Sequence, residues 1–278
     1  MKLCANDASD SFGYGPPPSV VDFFRVMFPR LSVLYEPLPH PAGEDGAEGV
    51  TVRLPILDAA LSGLELASLL PEALRRSVRR RQVAWLGGRL CAEHALERLG
   101  EVSCGVARGA SGEPVWPRGI AGSITHTDLA AHAIALRRAD GAGIGIDSEF
   151  LVDEQALAAI STICCSKDER ETWLARPDDP LRTTLLFAAK EAFYKAAWPV
   201  VRRFVDFDEV AVQEWHESSG TIVLRLAPTL VAGDAIVRYC VGNTGDVVHA
   251  RVTLDAELVN RLAEKRIRAG AAACGAKH

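Results

Sequence analysis

Gly145-Ile146-Asp147-Ser148-Glu149, set in the apolar run from Ile144 to Phe150, is followed some forty residues later by Phe187-Ala188-Ala189-Lys190-Glu191-Ala192-Phe193-Tyr194-Lys195. The first stretch reads as a strand and the second as a helix. Side chains of an extended chain alternate faces, so Ile144 and Ile146 point one way and Asp147 and Glu149 the other. On a helix Glu191 and Lys195 lie one turn apart on a common face, with Lys190 to one side. One acid and two cations can then meet the strand-borne pair of acids. Oxygen ligands at this density suit Mg2+, which takes one or two protein carboxylates and completes its shell with water and substrate phosphate. The plainer reading is an i,i+4 ion pair worth about 0.3 kcal/mol beside an Asp-x-Glu on a solvated strand end.

Outward from this pair, the pattern separates into helices and strands. Val20 to Phe28 reads as a first helix stopped at Pro29, after a loosely held segment 1–19, and Pro39 to Gly49 as a loop. A long helix is expected from Pro71 to Gly100, with Leu86, Leu90, Leu96 and Leu99 as its apolar stripe. Gly87-Gly88 interrupts it, which suggests close approach of a ligand or another backbone. A Gly/Pro/Trp loop, 109–122, precedes Ser123 to His126 and a strand from Ala131 to Arg137, with Asp140-Gly141 as a hairpin turn into Ile144 to Phe150. Helices are expected over Glu154 to Ile163, Lys167 to Leu174 and Leu181 to Ala197, the last stopped by Trp198-Pro199. Strands follow at Glu209 to Trp215, Thr221 to Ala227, Ala235 to Val241 and Val247 to Leu254. Asp255 then caps a terminal helix that frays after Ala269. Helices and antiparallel strands in separate runs predict an α+β fold, and no G-x-G-x-x-G or P-loop argues otherwise.

Composition narrows the function classes. A net charge of -5 argues against a general nucleic-acid binder, despite the dense run Arg75, Arg76, Arg79, Arg80 and Arg81. Seven cysteines, odd in number and without C-x-x-C or zinc spacing, suit a reducing cytosol. No stretch has the length and apolarity of a membrane helix or signal peptide, so a soluble, unprocessed, cytoplasmic protein is expected.

Three ordered motifs carry a resemblance. Trp116-Pro-Arg-Gly-Ile-Ala-Gly-Ser-Ile-Thr125-His126, then Gly-Ile-Asp147-Ser-Glu149, then Phe187-Ala-Ala-Lys190-Glu191-Ala-Phe-Tyr-Lys195 resemble the signature of the 4'-phosphopantetheinyl transferase superfamily, in its Sfp and enterobactin-synthetase branch. Arg81-Gln-Val-Ala-Trp85-Leu-Gly-Gly-Arg89-Leu-Cys-Ala is similar to that branch's upstream helix. The matches run from about Arg81 to Pro199.

The resemblance implies a fold of two similar α+β halves in pseudo-two-fold arrangement. They divide near Gly141 to Gly143 into 1–142, with the coenzyme A nucleotide elements, and 143–278, with the metal and catalytic motifs. It implies transfer of the phosphopantetheine arm of coenzyme A to a serine of an apo acyl or peptidyl carrier protein, with release of 3',5'-ADP, by a monomeric enzyme without nucleic-acid or membrane partners. Mg2+ would be held by Asp147, Glu149 and Glu191. Glu191 would be the base, Lys195 would stabilise charge on the pyrophosphate, and Lys190 charge on the leaving group. Arg81 and Arg89, about 12 Å apart along a helix and on nearly one face, would meet the 3'-phosphate region of the nucleotide. Thr125 and His126 would contact a phosphate, and Pro114 and Trp116 would shape the nucleotide wall. For Arg75, Arg76, Arg79 and Arg80 a solvated helix face is preferred, and His132 carries no assignment.

Three positions depart from the family pattern. Ala84-Trp85 stands where Glu-Phe is usual, Glu113 where a basic residue often precedes Pro-x-Trp-Pro, and Ser148 between the two acids is neutral. Loss of a cation at position 113 would weaken coenzyme A binding unless Arg108 or Arg118 compensates. The alternatives are a Mg2+-dependent nucleotide phosphohydrolase and a non-catalytic coenzyme A binding protein. The pathway served, whether siderophore, polyketide, nonribosomal peptide or fatty-acid synthesis, is left open.

Overall fold

A computed structural model of the 278-residue chain describes residues 24, 34–41, 45–101, 105–138, 142–174 and 179–275. The expected loose segment 1–19 and all but Phe24 of the first helix lie outside the described residues; Phe24 itself is helical and fully buried.

The first part of the chain runs through β1 (Tyr35–Pro37), β2 (Glu48–Arg53), α1 (Leu54–Ala60), α2 (Glu72–Arg75), α3 (Arg79–Arg98), β3 (Ala107–Arg108), β4 (Pro114–Val115), β5 (Ile120–His126) and β6 (Ala130–Arg137). Four of these strands form an antiparallel sheet ordered β1-β2-β6-β5. The single helix expected from Pro71 is two helices. Val78 is extended (φ -59°, ψ 147°), and Gln82 Nε2 donates to Leu74 O at 3.2 Å and Arg75 O at 2.9 Å, so a side chain from the second helix closes the first.

Gly87 and Gly88 do not break α3. A Cβ on Gly87 would sit 2.6 Å from Leu54 Cδ2 and 3.1 Å from Ala131 Cβ, and one on Gly88 would sit 2.8 Å from Ile124 Cγ2. The glycines therefore let the helix press against α1 and the sheet, so the close approach expected from sequence is that of neighbouring elements.

The second part comprises β7 (Gly143–Phe150), α4 (Glu154–Cys164), α5 (Lys167–Thr172), α6 (Pro180–Val201), β8 (Val210–His216), β9 (Thr221–Leu226), β10 (Gly233–Val241), β11 (Val247–Leu254) and α7 (Ala256–Gly275). Its five strands form a sheet ordered β7-β11-β10-β9-β8. The turn expected at Asp140-Gly141 lies outside the described residues; among them β6 pairs with β2 and β5, while β7 pairs with β11 in the other sheet. Helix α6 continues through Trp198-Pro199 to Val201. The proline lies in the last turn, and Arg202, with φ 52°, ends the helix with its N–H on Trp198 O at 3.1 Å. The alanine-rich stretch after Ala269 is helical to Gly275, as alanine favours. Asp255 caps this helix through the Leu258 N–H at 2.7 Å.

These elements make an α+β fold with two large cores, one under α3 and one around α6. Ala121, Ile134, Leu136, Ile144 and Ile146 form a third apolar cluster that joins the two sheets.

Candidate active site between the two sheets

Strand β7 alternates as its sequence requires. Ile144 and Ile146 enter the cluster between the sheets, while Gly143, Gly145, Asp147 and Glu149 belong to the face that meets α6. A Cβ on Gly145 would stand 1.9 Å from Ala192 O and one on Gly143 2.8 Å from Ala196 O. The two glycines therefore allow strand and helix backbones to touch, and this contact brings Glu191 and Lys195 to the strand's acids.

Asp147 is buried. Its Oδ1 accepts from Lys195 Nζ at 2.6 Å and from the Thr125 hydroxyl at 3.0 Å, while Oδ2 is buried without a partner. Lys195 thus pairs with Asp147, so the simple i,i+4 pairing with Glu191 does not account for it. The Thr125 hydroxyl, expected on a phosphate, likewise donates to Asp147 here.

Burial, then the Asp147 and Glu191 carboxylates, raise the pKa of Glu149 to about 7 against the pull of Lys195. Glu191 is raised by burial and by Asp147, with Lys195 opposing. The three acids expected as one ligand set do not close into a metal cage: among the described residues no group of three His, Cys, Asp or Glu side chains could hold a metal ion. The chemistry still fits Mg2+. One buried carboxylate oxygen lacks a partner, two neighbouring carboxylates are held back from ionising, and Mg2+ needs only one or two protein carboxylates when substrate phosphates supply the rest.

Lys190 is elsewhere. Its ammonium is buried and gives all three protons away, to Cys164 O and Glu169 Oε2 at 2.8 Å each and to Phe207 O at 3.1 Å. Glu169 also accepts from the Ser166 and Val212 N–H groups. Lys190 therefore ties α4, α5, α6 and the entry to β8 together, apart from the acids that Lys195 meets. Sequence spacing alone cannot separate this lysine from Lys195, because both lie within one turn of Glu191.

Arg81 is exposed and Arg89 is buried, so the two do not share an open helix face. Arg89 lies over the Trp85 ring at 5.2 Å, donates only weakly to Ala107 O at 3.4 Å, and keeps Nε buried without a partner. Burial lowers its pKa to about 10, Glu93 opposes this and Arg108 adds to it. A buried cation with an unmet donor is a place for an anion. Arg75, Arg76, Arg79 and Arg80 are exposed, and Arg79 and Arg80 pair with Asp58 and Asp128.

His126 stands at the open end of β5, its pKa lowered by partial burial and then by Lys195. Pro114 is half-buried in β4, and the Trp116 ring lies where a Cβ on Gly122 would be, 2.5 Å away. Glu113 is answered by a residue that sequence reading missed. Its Oε1 accepts from Arg202 Nη1 at 2.9 Å, so α6 supplies a cation to the β4 loop, where Arg108 and Arg118 were the candidates. Nothing local to Arg202 signals this, since it lies 89 positions away. Ser148 faces away from the acids, fully buried between His40 and His249.

Residues 70–136 match the model of the 4'-phosphopantetheinyl transferase N-terminal domain, and residues 143–243 that of the 4'-phosphopantetheinyl transferase superfamily. The 4'-phosphopantetheinyl transferase Npt of Nocardia iowensis is 38% identical over 166 residues, covering 54% of this chain and 72% of the relative. This chain belongs to the 4'-phosphopantetheinyl transferase superfamily. The transferase is also 32% identical to PptT of Mycobacterium tuberculosis over 165 residues, 59% of this chain and 71% of the relative. It is 35% identical to enterobactin synthase component D of Salmonella typhimurium over 149 residues, 52% and 62% of the two chains. The motif order read from the sequence is thus that of a 4'-phosphopantetheinyl transferase.

Proposed function

We propose that this transferase moves the phosphopantetheine arm of coenzyme A, with Mg2+, onto a serine hydroxyl of an apo acyl or peptidyl carrier domain and releases 3',5'-ADP. The observation that carries the reading is the single carboxylate of Asp147, which receives Lys195 and Thr125 on one oxygen and keeps the other bare, beside Glu149 and Glu191. One or two of the carboxylates of Asp147, Glu149 and Glu191 would hold the Mg2+, which supplies charge neutralisation at the pyrophosphate.

Glu191 takes the serine proton. The serine oxygen bonds to the β-phosphorus as the bond to the bridging oxygen breaks, and the electron pair leaves with 3',5'-ADP. Lys195, already in place on Asp147, stabilises the pyrophosphate charge. Arg89 with its unmet Nε, Arg81, His126 and Pro114 serve the nucleotide end of coenzyme A. Lys190 has no part in this chemistry. The halves would run 1–142, with the four-stranded sheet, and 143–278, with the five-stranded sheet. The net charge of -5 and the scattered cysteines support a cytoplasmic enzyme, and among the described residues no helix is long and apolar enough to cross a membrane.

The test is incubation with coenzyme A, Mg2+ and an apo carrier domain, followed by intact mass of the carrier. A phosphopantetheine adduct is expected with wild type. Loss of most of the rate is expected for Glu191→Gln at saturating Mg2+, and a wild-type rate in that variant removes Glu191 as base. Free 3',5'-ADP without an adduct would indicate hydrolysis instead.

A further inference from the structure

The segment between β1 and β2 reaches across to the second sheet and is pinned there. Cys240 Sγ–H donates to Pro39 O at 3.2 Å, Arg251 donates to Pro41 O at 3.2 Å and pairs with Asp45, and the Thr253 hydroxyl donates to Asp45 Oδ2 at 2.7 Å. At the centre of these anchors the buried His40 places Nε2 3.1 Å from Asp147 O and 3.0 Å from Ser148 Oγ.

Elementary chemistry fixes the proton on His40. A carbonyl oxygen only accepts, so Nε2 of His40 carries the hydrogen and shares it between Asp147 O and Ser148 Oγ. Ser148 Oγ accepts from that N–H and also lies 2.9 Å from His249 Nδ1. The result is one hydrogen-bonded chain, from His40 through Ser148 to His249, on the face of β7 opposite its two acids.

That support has mechanical work to do. Strand β7 is the edge of its sheet, paired with β11 on one side only. It carries Asp147 and Glu149 on one face two residues apart, and like charges so placed repel. On the other flank Ile146 N donates to Ser123 Oγ at 3.0 Å, and Ser148 lies between the acids.

We propose that His40 and Ser148 are positioning residues for Asp147 and Glu149. The imidazole N–H, brought from the first sheet's side, and the Ser148 hydroxyl fix the peptide and the pleat from which both carboxylates project. The neutral residue between the acids is then required by its place among imidazoles on the opposite face. The inference rests on the metal reading above, because its consequence is a preformed pair of ligands.

The experiment is an electron paramagnetic resonance titration of free Mn2+, a hard dication standing in for Mg2+, with coenzyme A present. It compares wild type, His40→Ala, His40→Gln, Ser148→Ala and Asp45→Asn, each also melted thermally. His40→Ala is expected to weaken Mn2+ binding about tenfold. His40→Gln, whose amide N–H can reach the same carbonyl, restores most of that loss. Asp45→Asn, whose contacts are Arg251, Thr253 and Ala47, lowers the melting temperature and leaves Mn2+ affinity unchanged. A folded His40→Ala protein with wild-type affinity overturns the inference alone, as does an Asp45→Asn loss equal to that of His40→Ala. Wild type that binds no Mn2+ overturns the metal reading and this inference with it. If His40→Ala does not fold, Ser148→Ala carries the comparison: weaker Mn2+ binding supports the inference, and wild-type affinity overturns it.

Discussion

Lys195 Nζ lies 2.6 Å from Asp147 Oδ1, joining the middle of α6 to the edge strand β7. The carboxylate is almost fully buried while the lysine is partly open, with side-chain exposures of 3% and 27%. One end of the pair is therefore fixed and the other can turn toward a substrate.

Replacing Lys195 with Met leaves Asp147 buried with only the Thr125 hydroxyl as donor. Stability should fall by about 2 kcal/mol, less than for a fully buried pair because the lysine is partly solvated. The transfer rate should fall about a hundredfold or more at saturating coenzyme A. Urea unfolding and a carrier-loading assay on the same preparation check both.

Gly145→Ala tests the strand-to-helix contact. The added methyl would lie 1.9 Å from the Ala192 carbonyl oxygen, and backbone cannot yield as a side-chain tip does. Helix α6 must move, at a cost of about 2–3 kcal/mol, and Glu191 and Lys195 move with it. The expected result is a lower urea midpoint together with a transfer rate reduced even in the fully folded fraction.

Lys190→Met separates the two lysines of the helix. Glu169 would remain buried without its cation, which costs about 3–5 kcal/mol. Coenzyme A affinity of the folded protein should be unchanged by calorimetry. The opposite outcome, intact stability with weakened coenzyme A binding, would return Lys190 to the leaving group.

The buried imidazole of His132 sets an acid dependence. Burial first, then His249 and His126, lower its pKa to about 3, and its Nδ1 lies 2.9 Å from Thr51 Oγ1. Below about 6.5 the unfolded chain takes up a proton that the folded chain refuses until about 3. Stability from this group is therefore complete above pH 6.5 and declines as pH falls toward 3, by on the order of a few kcal/mol. His132→Gln should flatten the change in urea midpoint between pH 7.5 and 4.5; an unchanged slope would remove His132 as its source.

The residues of the site were legible in sequence where geometry is local. Alternation placed Asp147 and Glu149 on one face of a strand, helical spacing placed Glu191 and Lys195 on one face of a helix, and the order of the motifs carried the family. The surroundings of Lys190 were not legible, because a one-residue offset on a helix is a rotation of about 100°, and what waits there is decided by other elements. For Gly87 and Gly88 the two readings, ligand or neighbouring element, stayed open for the same reason, since a missing Cβ reports closeness without reporting what is close. The break after α2, the pairing of β7 with β11 and the extension of α6 through Pro199 each turned on contacts or strand partners that lie outside the local pattern.

The sequence by itself determined the α+β class, the strand and helix that bear the acids, and the superfamily, because periodicity and motif order are properties of neighbouring residues. Tertiary structure alone decided that Lys195 meets Asp147 while Lys190 is spent on Glu169, that Arg202 answers Glu113 across 89 positions, and that His40 reaches Ser148 across 108. These pairings depend on how two sheets and α6 pack. Burial then sets their strength, because a charge or donor withdrawn from water must find its partner wherever the fold has brought one.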